Sequence, residues 1–195
     1  MRRHASEAII IASITREGRT MRSFLRWTVA PALTFAGTLL IASPVGAGAA
    51  RPAFGFNGTV SGFPSGAVFL TGGGAYNLST GFVHSGGGFR CLEDVNQGPL
   101  MGCAAGEGVR WDTAELLTST TFKCTGAAEE MAKTATTSDT TAVLQADFYR
   151  AGDGIDESFT AQMIVTTEDL DPDIEGVQNL WVQGVGCGTA IVHFN

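Results

Sequence analysis

Four cysteines are the residues of this 195-residue chain whose type and spacing could do chemistry: Cys91, Cys103, Cys124 and Cys187, with gaps of 11, 20 and 62 residues. Zinc ligands usually come in close pairs such as C-x-x-C, and a cysteine nucleophile needs a neighbouring base. The sequence shows neither pattern. An even number of cysteines in an exported chain is typical of disulfide bonds. The cysteines therefore predict two disulfides.

Four cysteines can pair in three ways, and the preferred pairing joins Cys91 to Cys103 and Cys124 to Cys187. The first bond would staple a short loop with Gly98-Pro99 at its turn. The second would link the middle of the domain to its last strand. In the chain-entropy model, these closures restrict the unfolded chain by about 3 and about 4 kcal/mol.

Acidic residues alternate in the segment TTEDLDPDIEG and could converge on a calcium ion. The four candidate ligands are Asp169, Asp171, Asp173 and Glu175. An EF-hand loop is excluded, because its sixth and twelfth positions would hold Ile174 and Leu180 instead of Gly and Glu. Two interpretations stay open: an irregular calcium site, or a solvated acidic connection in which Pro172 starts a turn.

Residues 21–49 have the layout of an export signal. Two arginines precede an almost uncharged apolar run, which ends in small residues with an Ala47-x-Ala49 cleavage site. Residues 21–49 are therefore predicted to be a signal peptide, and residues 1–20 to result from a start assigned too far upstream. A membrane anchor is the competing interpretation, because the apolar run 27–43 approaches the length of a span. After cleavage, no stable membrane span is expected.

Residues 50–195 are predicted to form a single secreted β domain with a strong negative charge. Six of the 12 Lys and Arg and two of the 19 Asp and Glu lie before residue 50, which leaves a net charge of −11. Nucleic-acid binding needs clustered Lys and Arg that neutralise phosphates. Nucleic acid is therefore excluded as a partner, and the expected location is extracellular or in the cell envelope.

The hydrophobic pattern of this domain has a period of two. The segment ESFTAQMIVT alternates apolar with polar residues, and TTAVLQADFYR is rich in β-branched and aromatic residues. Roughly eight or nine strands are predicted, so the fold class is all-β: an antiparallel β-sandwich or a small β-barrel, stapled by disulfides. At most one or two short helices are expected, at 127–135 and in DTAELL from Asp112.

Glycine is unusually frequent, with 26 residues and triplets at 72–74 and 86–88. Inside strands, glycine marks a bulge, a sharp corner or a close backbone approach. A phosphate-binding loop is rejected, because neither triplet is followed by a helical pattern or a Lys-Ser/Thr pair. The triplets are interpreted as places where strands coil round a barrel or cross between two sheets.

The segments GEGVRWDTAELL, TTFKCTGA, ADFYRAGDG and VQNLWVQGVGCG resemble an exported bacterial protein family of unassigned function. This resemblance covers most of residues 53–195 and implies no functional residue. Locally, FLTGGGAYNLSTGFVHSGGGF resembles the strand, glycine turn, aromatic and strand pattern of dirigent and allene oxide cyclase barrels. The chain differs from them at Gly73, where threonine is frequent, and in its four cysteines. The local resemblance implies a barrel and no particular activity.

The expected function is that of a secreted, non-enzymatic binding or structural domain with an unknown extracellular ligand or protein as partner and no cofactor. The alternatives are a secreted cyclase- or hydrolase-like enzyme with carboxylates in a barrel mouth, and a calcium-dependent adhesion module. No catalytic motif favours an enzyme, since His84 and Ser85 are strand neighbours that point to opposite faces. The aromatic residues suited to an amphipathic binding contact are Tyr76, Trp111, Tyr149 and Trp181.

The last strands predict what fills a barrel. In QNLWVQGVGCGTAIVHF, Leu180 and Val182 share one face, whereas Trp181, Val185 and Cys187 point the other way. The interior of a small barrel is filled by side chains or holds at most one small ligand. We therefore expect a packed interior without an open acid–base pocket, and recognition by loops around 92–102 and 168–177.

Overall fold

Eleven strands and no helix form the part of the chain that the computed structural model describes, residues 51–154 and 156–195. Within this part, no helix has the length and apolarity that crossing a bilayer requires. The predicted upstream stretch 1–20 and signal peptide 21–49 lie outside the described residues. The strands are β1 (Ala53–Gly62), β2 (Ala67–Asn77), β3 (Phe82–Glu93), β4 (Arg110–Leu116), β5 (Ser119–Phe122), β6 (Lys133–Thr136), β7 (Thr141–Tyr149), β8 (Phe159–Thr166), β9 (Leu180–Val182), β10 (Gly186–Gly188) and β11 (Ala190–Phe194).

Nine of these strands belong to one antiparallel sheet, in the order β10-β9-β8-β7-β4-β3-β2-β1-β11. Only Thr189 separates β10 from β11, and both strands pair with β1. Because β10 also pairs with β9, the sheet closes on itself as a barrel. The prediction of an all-β, disulfide-linked fold is confirmed, and of the two predicted architectures the chain adopts the barrel.

The period-two pattern places alternate side chains inside this barrel. On β8, Met163 and Val165 are fully buried in the interior, and on the neighbouring strand β7 Leu144 and Phe148 are buried in the same cluster. Thr160, on the opposite face of β8, is exposed. A shift of register by one residue would turn the whole apolar set of a strand towards solvent, so burial fixes the register.

Aromatic rings fill much of the interior. Trp111, Tyr76 and Phe148 are the largest of the fully buried side chains, and Phe148 packs edge-to-face on Phe89 with ring centroids 5.1 Å apart. The first glycine triplet provides room for the indole. A Cβ atom at Gly72 would lie 2.6 Å from Cζ2 of Trp111, closer than side chains approach one another. Only glycine at this position lets the ring pack against the strand.

The loop between β3 and β4 closes one end of the barrel, which we call the Cys91 end. Cys91 and Cys103 form a disulfide across this loop, with their Cα atoms 6.2 Å apart. Both cysteines, Val95 and Leu100 are buried in the same hydrophobic cluster as the barrel interior. Two backbone hydrogen bonds of 2.9 Å, from Val95 N–H to Cys103 O and from Gly102 N–H to Val95 O, hold the loop. The stapled loop is therefore a plug.

A second hydrophobic cluster lies outside the barrel wall. Strands β5 and β6 form a separate hairpin, which packs Phe122 on Trp181 with ring centroids 5.7 Å apart. The disulfide Cys124–Cys187, with Cα atoms 4.6 Å apart, belongs to this cluster and ties the segment after β5 to β10. The two disulfides thus follow the preferred pairing, one in the plug and one in this outer layer.

The two helix predictions are wrong. The first five residues of DTAELL, 112–116, lie in β4, which pairs with β7. Residues 127–130 make a single turn, with a hydrogen bond of 3.3 Å from Glu130 N–H to Ala127 O, and the chain then pairs with β5 as β6. Helix propensity is overridden here because strand pairing lets Ala135 and Phe122 cover the barrel wall.

Val185 also differs from its predicted position. It was expected on the same face as Trp181 and Cys187, but it packs in the barrel interior with Leu180 and Val182. Gly184 and Gly186 have φ angles of 80° and 121°, so the chain turns at this point and strand alternation is interrupted.

Candidate functional site

Asp171 is a buried carboxylate in the acidic connection between β8 and β9. Only 3% of the residue is exposed, and its Oδ2 atom lies 2.7 Å from Nζ of Lys133 on β6. The hydrogen bond to Asp171 is the main cause that raises the pKa of Lys133. The ion pair compensates the burial of the carboxylate and joins the acidic connection to the β5–β6 hairpin.

The other three predicted calcium ligands do not converge on Asp171. Oδ1 of Asp169 accepts hydrogen bonds from the backbone N–H groups of Asp171 and Gln178, at 3.2 and 3.0 Å. Asp173 and Glu175 are exposed. The structure therefore gives Asp169 the role of a turn-forming carboxylate and does not assemble the four oxygens at one point.

Glu130 lies beside Asp171, outside the predicted set. With Cys124 they form the one group of three potential metal ligands within 4.8 Å of one another in residues 51–154 and 156–195. The sulfur of Cys124 is held in a disulfide. Burial opposes ionisation of Glu130, but hydrogen bonds from the Thr125 hydroxyl and from the N–H groups of Cys124, Thr125 and Gly126 outweigh it and lower the pKa of Glu130. Glu130 is thus a loop-capping carboxylate.

Two adjacent grooves lie along this outer surface. The first, of about 470 Å³, runs between the segment 129–133 and the turn 171–174. The second, of about 510 Å³, shares Thr125 and Ile174 with the first and has the Cys124–Cys187 disulfide in its wall. The first groove carries four carboxylates and one ammonium group, so its electrostatic potential favours cations over anions.

All four aromatic residues predicted for a binding surface are buried. Trp111 and Tyr76 lie in the barrel interior, and Trp181 lies in the outer layer. Nε1–H of Trp111 donates a hydrogen bond of 3.1 Å to Thr71 O, and that of Trp181 donates one of 2.8 Å to Lys123 O. Buried indoles need such acceptors. The role of these rings in the structure is packing.

Tyr76 ties the β6–β7 turn to the end of the barrel opposite the Cys91 end, which we call the Phe194 end. Its hydroxyl donates to Ser138 O, and its ring contacts Phe194 edge-to-face with centroids 6.4 Å apart. Burial raises the pKa of Tyr76 to about 12, and the negative charge of Asp139 is the smaller cause. The buried phenol therefore stays neutral at physiological pH.

Tyr149 lies on the outer wall of the barrel, where neighbouring side chains cover it. The guanidinium of Arg110 lies 3.7 Å from the ring centroid and 2.7 Å from Oδ2 of Asp112. The Tyr149 hydroxyl donates a hydrogen bond of 3.2 Å to Oδ1 of Asp112. Burial and then this hydrogen bond raise the pKa of Tyr149. The ring face that a ligand could stack on is occupied by Arg110.

The histidines and Ser85 do not form a catalytic group. Ser85 points into the barrel and shares a hydrogen bond with Thr113, whereas His84 is exposed on the other face of β3. The ring of His193 on β11 lies over Gly55, where a Cβ atom would be 2.5 Å from Cε1. Strands β1 and β2 separate the two histidines in the sheet. A nucleophile and base pair is not built from these residues.

The carboxylates near the Cys91 end are engaged in holding loops. Oδ1 of Asp94 accepts a hydrogen bond of 2.8 Å from Ala105 N–H. Glu107 and Asp153 both face Arg150, with N···O distances of 3.6 and 3.5 Å. These contacts give each of the three carboxylates a structural partner.

Sequence reasoning did not single out Lys133 and Glu130. Lys133 meets Asp171 only after β6 has packed on the barrel wall, so no local spacing signals the pair. Glu130 has no local signal either, because it follows Thr125 by five residues, whereas a capping box has a spacing of three.

Comparisons with protein-family models, with curated proteins and with solved structures find no match for this chain.

Proposed function

We propose that this protein is an exported, non-enzymatic binding domain that contacts another extracellular protein through the outer surface of its barrel. The observation that carries the proposal is the filled interior. Leu144, Met163 and Trp111 meet in one cluster with at most 1% of each residue exposed. Small barrels that bind or transform a ligand hold it inside or in the mouth. Side chains occupy this space here.

Export is supported by the disulfides and by the signal-like sequence of residues 21–49. Disulfides persist in oxidising compartments, and no cysteine of the described residues is free. Mass spectrometry of the exported protein should find a new N-terminus near Ala50. Intact residues 21–49 on the protein in the culture fluid would contradict cleavage.

The enzyme alternative has less support, because Asp94, Glu107 and Asp153 at the Cys91 end hold loops and the two histidines are separated. The calcium-dependent adhesion alternative has less support as well, because Asp171 pairs with Lys133 and Asp169 accepts backbone N–H groups. A partner with cationic surface groups is favoured by the net charge of residues 50–195.

The filled interior is tested with a cavity variant of residues 50–195. Met163→Ala removes a buried side chain, and dry apolar cavities of this kind bind benzene-sized molecules. Benzene and indole should shift the methyl NMR signals of Leu144 and Val165 in the variant and leave those of the wild type unchanged. A small molecule that enters the wild-type barrel would contradict the proposal, as would turnover of ester or glycoside substrates.

Binding itself is tested with the extracellular fraction of the source organism. The immobilised domain should retain a basic protein at about 0.05 M salt and release it at about 0.5 M, because salt screens exposed charges. The matched control is an unrelated domain of equal negative charge. A protein that the control retains equally well, or the retention of none, would count against a binding function.

A further inference from the structure

The outer edge of β11 has no neighbouring strand in the described part of the chain. β11 pairs only with β1, at the end of the sheet order. Ala53 and Asn195 exchange backbone hydrogen bonds of 3.4 and 2.9 Å, which fixes the alternation of the ladder. The N–H and C=O groups of Ala190, Val192 and Phe194 therefore point away from β1.

A side chain satisfies the first of these three positions. Oδ1 of Asn179 accepts a hydrogen bond of 2.7 Å from Ala190 N–H, and its Nδ2 donates one of 3.0 Å to Ala190 O. Asn179 thus imitates a strand partner, and β9 starts at the next residue. Among residues 51–154 and 156–195, no hydrogen-bond partner reaches the outward backbone groups of Val192 and Phe194. β11 presents two donors and two acceptors along an open edge.

This edge lacks the devices that usually prevent strand addition. Natural edge strands carry lysine, proline or a bulge, whereas β11 reads Ala-Ile-Val-His-Phe. β-branched and aromatic residues favour strand pairing. Ile191 is 80% exposed, and Val192 and Phe194 are only partly buried. An added strand would cover this apolar surface and satisfy the four backbone groups.

Charge around the edge indicates which partner it accepts. At the Phe194 end, the hydroxyl of Tyr76 holds the β6–β7 turn. The hydroxyl of Thr140 in this turn donates a hydrogen bond of 3.3 Å to Glu168, which follows β8. On the other flank, Thr189 donates a hydrogen bond of 2.9 Å to Val177 O. The charged residues of these flanking segments include Asp139, Glu168 and Glu175. All three are acidic, so basic side chains on an added strand would be favoured.

We propose that β11 binds an extended, basic segment of an extracellular partner protein as an additional strand of the sheet. The inference rests on the proposed binding function and names the element that the partner supplies. Backbone hydrogen bonds to Val192 and Phe194 provide affinity, and alternate apolar residues of the segment cover these two side chains. A second copy of this chain is disfavoured, since each copy carries the same acidic flanks and a net charge of −11 over residues 50–195.

The test uses a fluorescein-labelled peptide of alternating lysine and valine, with a glutamate–valine peptide for comparison. The protein is residues 50–195 with both disulfides intact. Val192→Pro removes a donor that points away from β1 and leaves the β1–β11 ladder complete. Fluorescence anisotropy should show about tenfold weaker binding of the lysine–valine peptide to this variant. Val192→Thr keeps the donor and the β-branched shape, and it should bind as the wild type does.

Amide hydrogen exchange of the wild type gives a readout that does not depend on a variant. The amides of Val192 and Phe194 should exchange rapidly in the protein alone and slowly with the lysine–valine peptide. Unchanged affinity in a natively folded Val192→Pro, or protection confined to the 129–133 groove, would overturn the proposal. Protection that rises with protein concentration without peptide would also overturn it, because a second copy would then occupy the edge.

The same variant separates this inference from the proposed function. If Val192→Pro retains the extracellular partner as well as the wild type does, the inference about β11 fails and the binding function stands. If neither protein retains a partner, the proposed function itself fails. Loss of retention in Val192→Pro alone, with Val192→Thr unaffected, supports both.

Discussion

Replacing Tyr76 by phenylalanine should change how the stability of the domain depends on alkaline pH. The pKa of the buried phenol is about 12, compared with an ordinary value of 10.0. In the unfolded chain this group ionises first, so the unfolded state binds fewer protons than the folded state above pH 10. By linkage, the contribution of the neutral Tyr76 phenol to the unfolding free energy is fully present below pH 10 and is lost as the pH rises through about 12.

The structure gives the magnitudes of the two competing effects. Two pKa units correspond to about 2.7 kcal/mol of unfolding free energy, lost mostly between pH 10 and 12. At pH 7, Tyr76→Phe loses the hydrogen bond to the partly exposed Ser138 carbonyl, which costs about 1 kcal/mol and lowers the melting temperature by about 3 °C. The variant should therefore be less stable than the wild type at neutral pH and more stable above about pH 11.

Urea unfolding at a series of pH values measures this crossover, and Trp111 and Trp181 provide the fluorescence signal from the two hydrophobic clusters. Tyr149→Phe is the matched control, since it removes the other tyrosine of residues 50–195 and leaves Tyr76 in place. Because the pKa of Tyr149 is also raised, this control should lose somewhat less stability than the wild type at alkaline pH, but it should keep the loss that Tyr76 causes between pH 10 and 12. Parallel stability curves for the wild type and Tyr76→Phe would refute the assignment of the shifted pKa to the buried phenol.

Three further predictions concern the outer layer and the disulfides. Glu130→Gln should lower the unfolding free energy by about 2 kcal/mol at pH 7, whereas Glu129→Gln, at an exposed position, should not. The folded-state pKa of Glu130 is lowered, so the difference in unfolding free energy between wild type and Glu130→Gln should shrink when urea unfolding is measured from pH 5 down through that pKa. Asp171→Asn should lower the unfolding free energy by about 3 kcal/mol, because it leaves Lys133 unpaired. Calcium at about 10 mM should leave the melting temperature of the wild type unchanged, and an increase in that temperature would restore the calcium hypothesis. Peptide mapping without reduction should find both disulfide links. Loss of Cys124–Cys187 should destabilise the domain by about 4 kcal/mol, and loss of Cys91–Cys103 by about 3 kcal/mol; equal values would contradict the chain-entropy model.

Local patterns in the sequence predicted the barrel wall well. The alternation in β8 is a property of neighbouring residues, so it places Met163 and Val165 on one apolar face without knowledge of the fold, and both lie in the barrel interior. The even cysteine count and the short Cys91–Cys103 spacing likewise favoured the pairing that the structure has. The sequence could not choose between sandwich and barrel, because closure depends on β1 meeting both β2 and β10.

Features that depend on distant contacts were not predicted. The helix expected at 127–135 is absent because β6 gains more from pairing with β5 and covering the barrel wall than from local propensity. Asp171 looked like a calcium ligand until Lys133 was found beside it. The open edge of β11 has no sequence signal, since it exists only because β9 begins directly after Asn179.

The seam between β1 and β11 has a consequence for how the protein folds. Phe54 pairs with Phe194, so strands from opposite ends of the described chain meet at this seam, next to the β1–β10 pairing that closes the barrel. Long-range pairing of this kind slows folding, because a large loop must be ordered before its contacts form. The Cys124–Cys187 bond shortens the path between these strands by roughly half and lowers the closure cost by roughly 0.5 kcal/mol. Before the disulfide forms, an intermediate with an unclosed sheet should therefore be populated, in which β1 and β11 each expose an edge. At high protein concentration, this intermediate should exchange strands between molecules instead of closing.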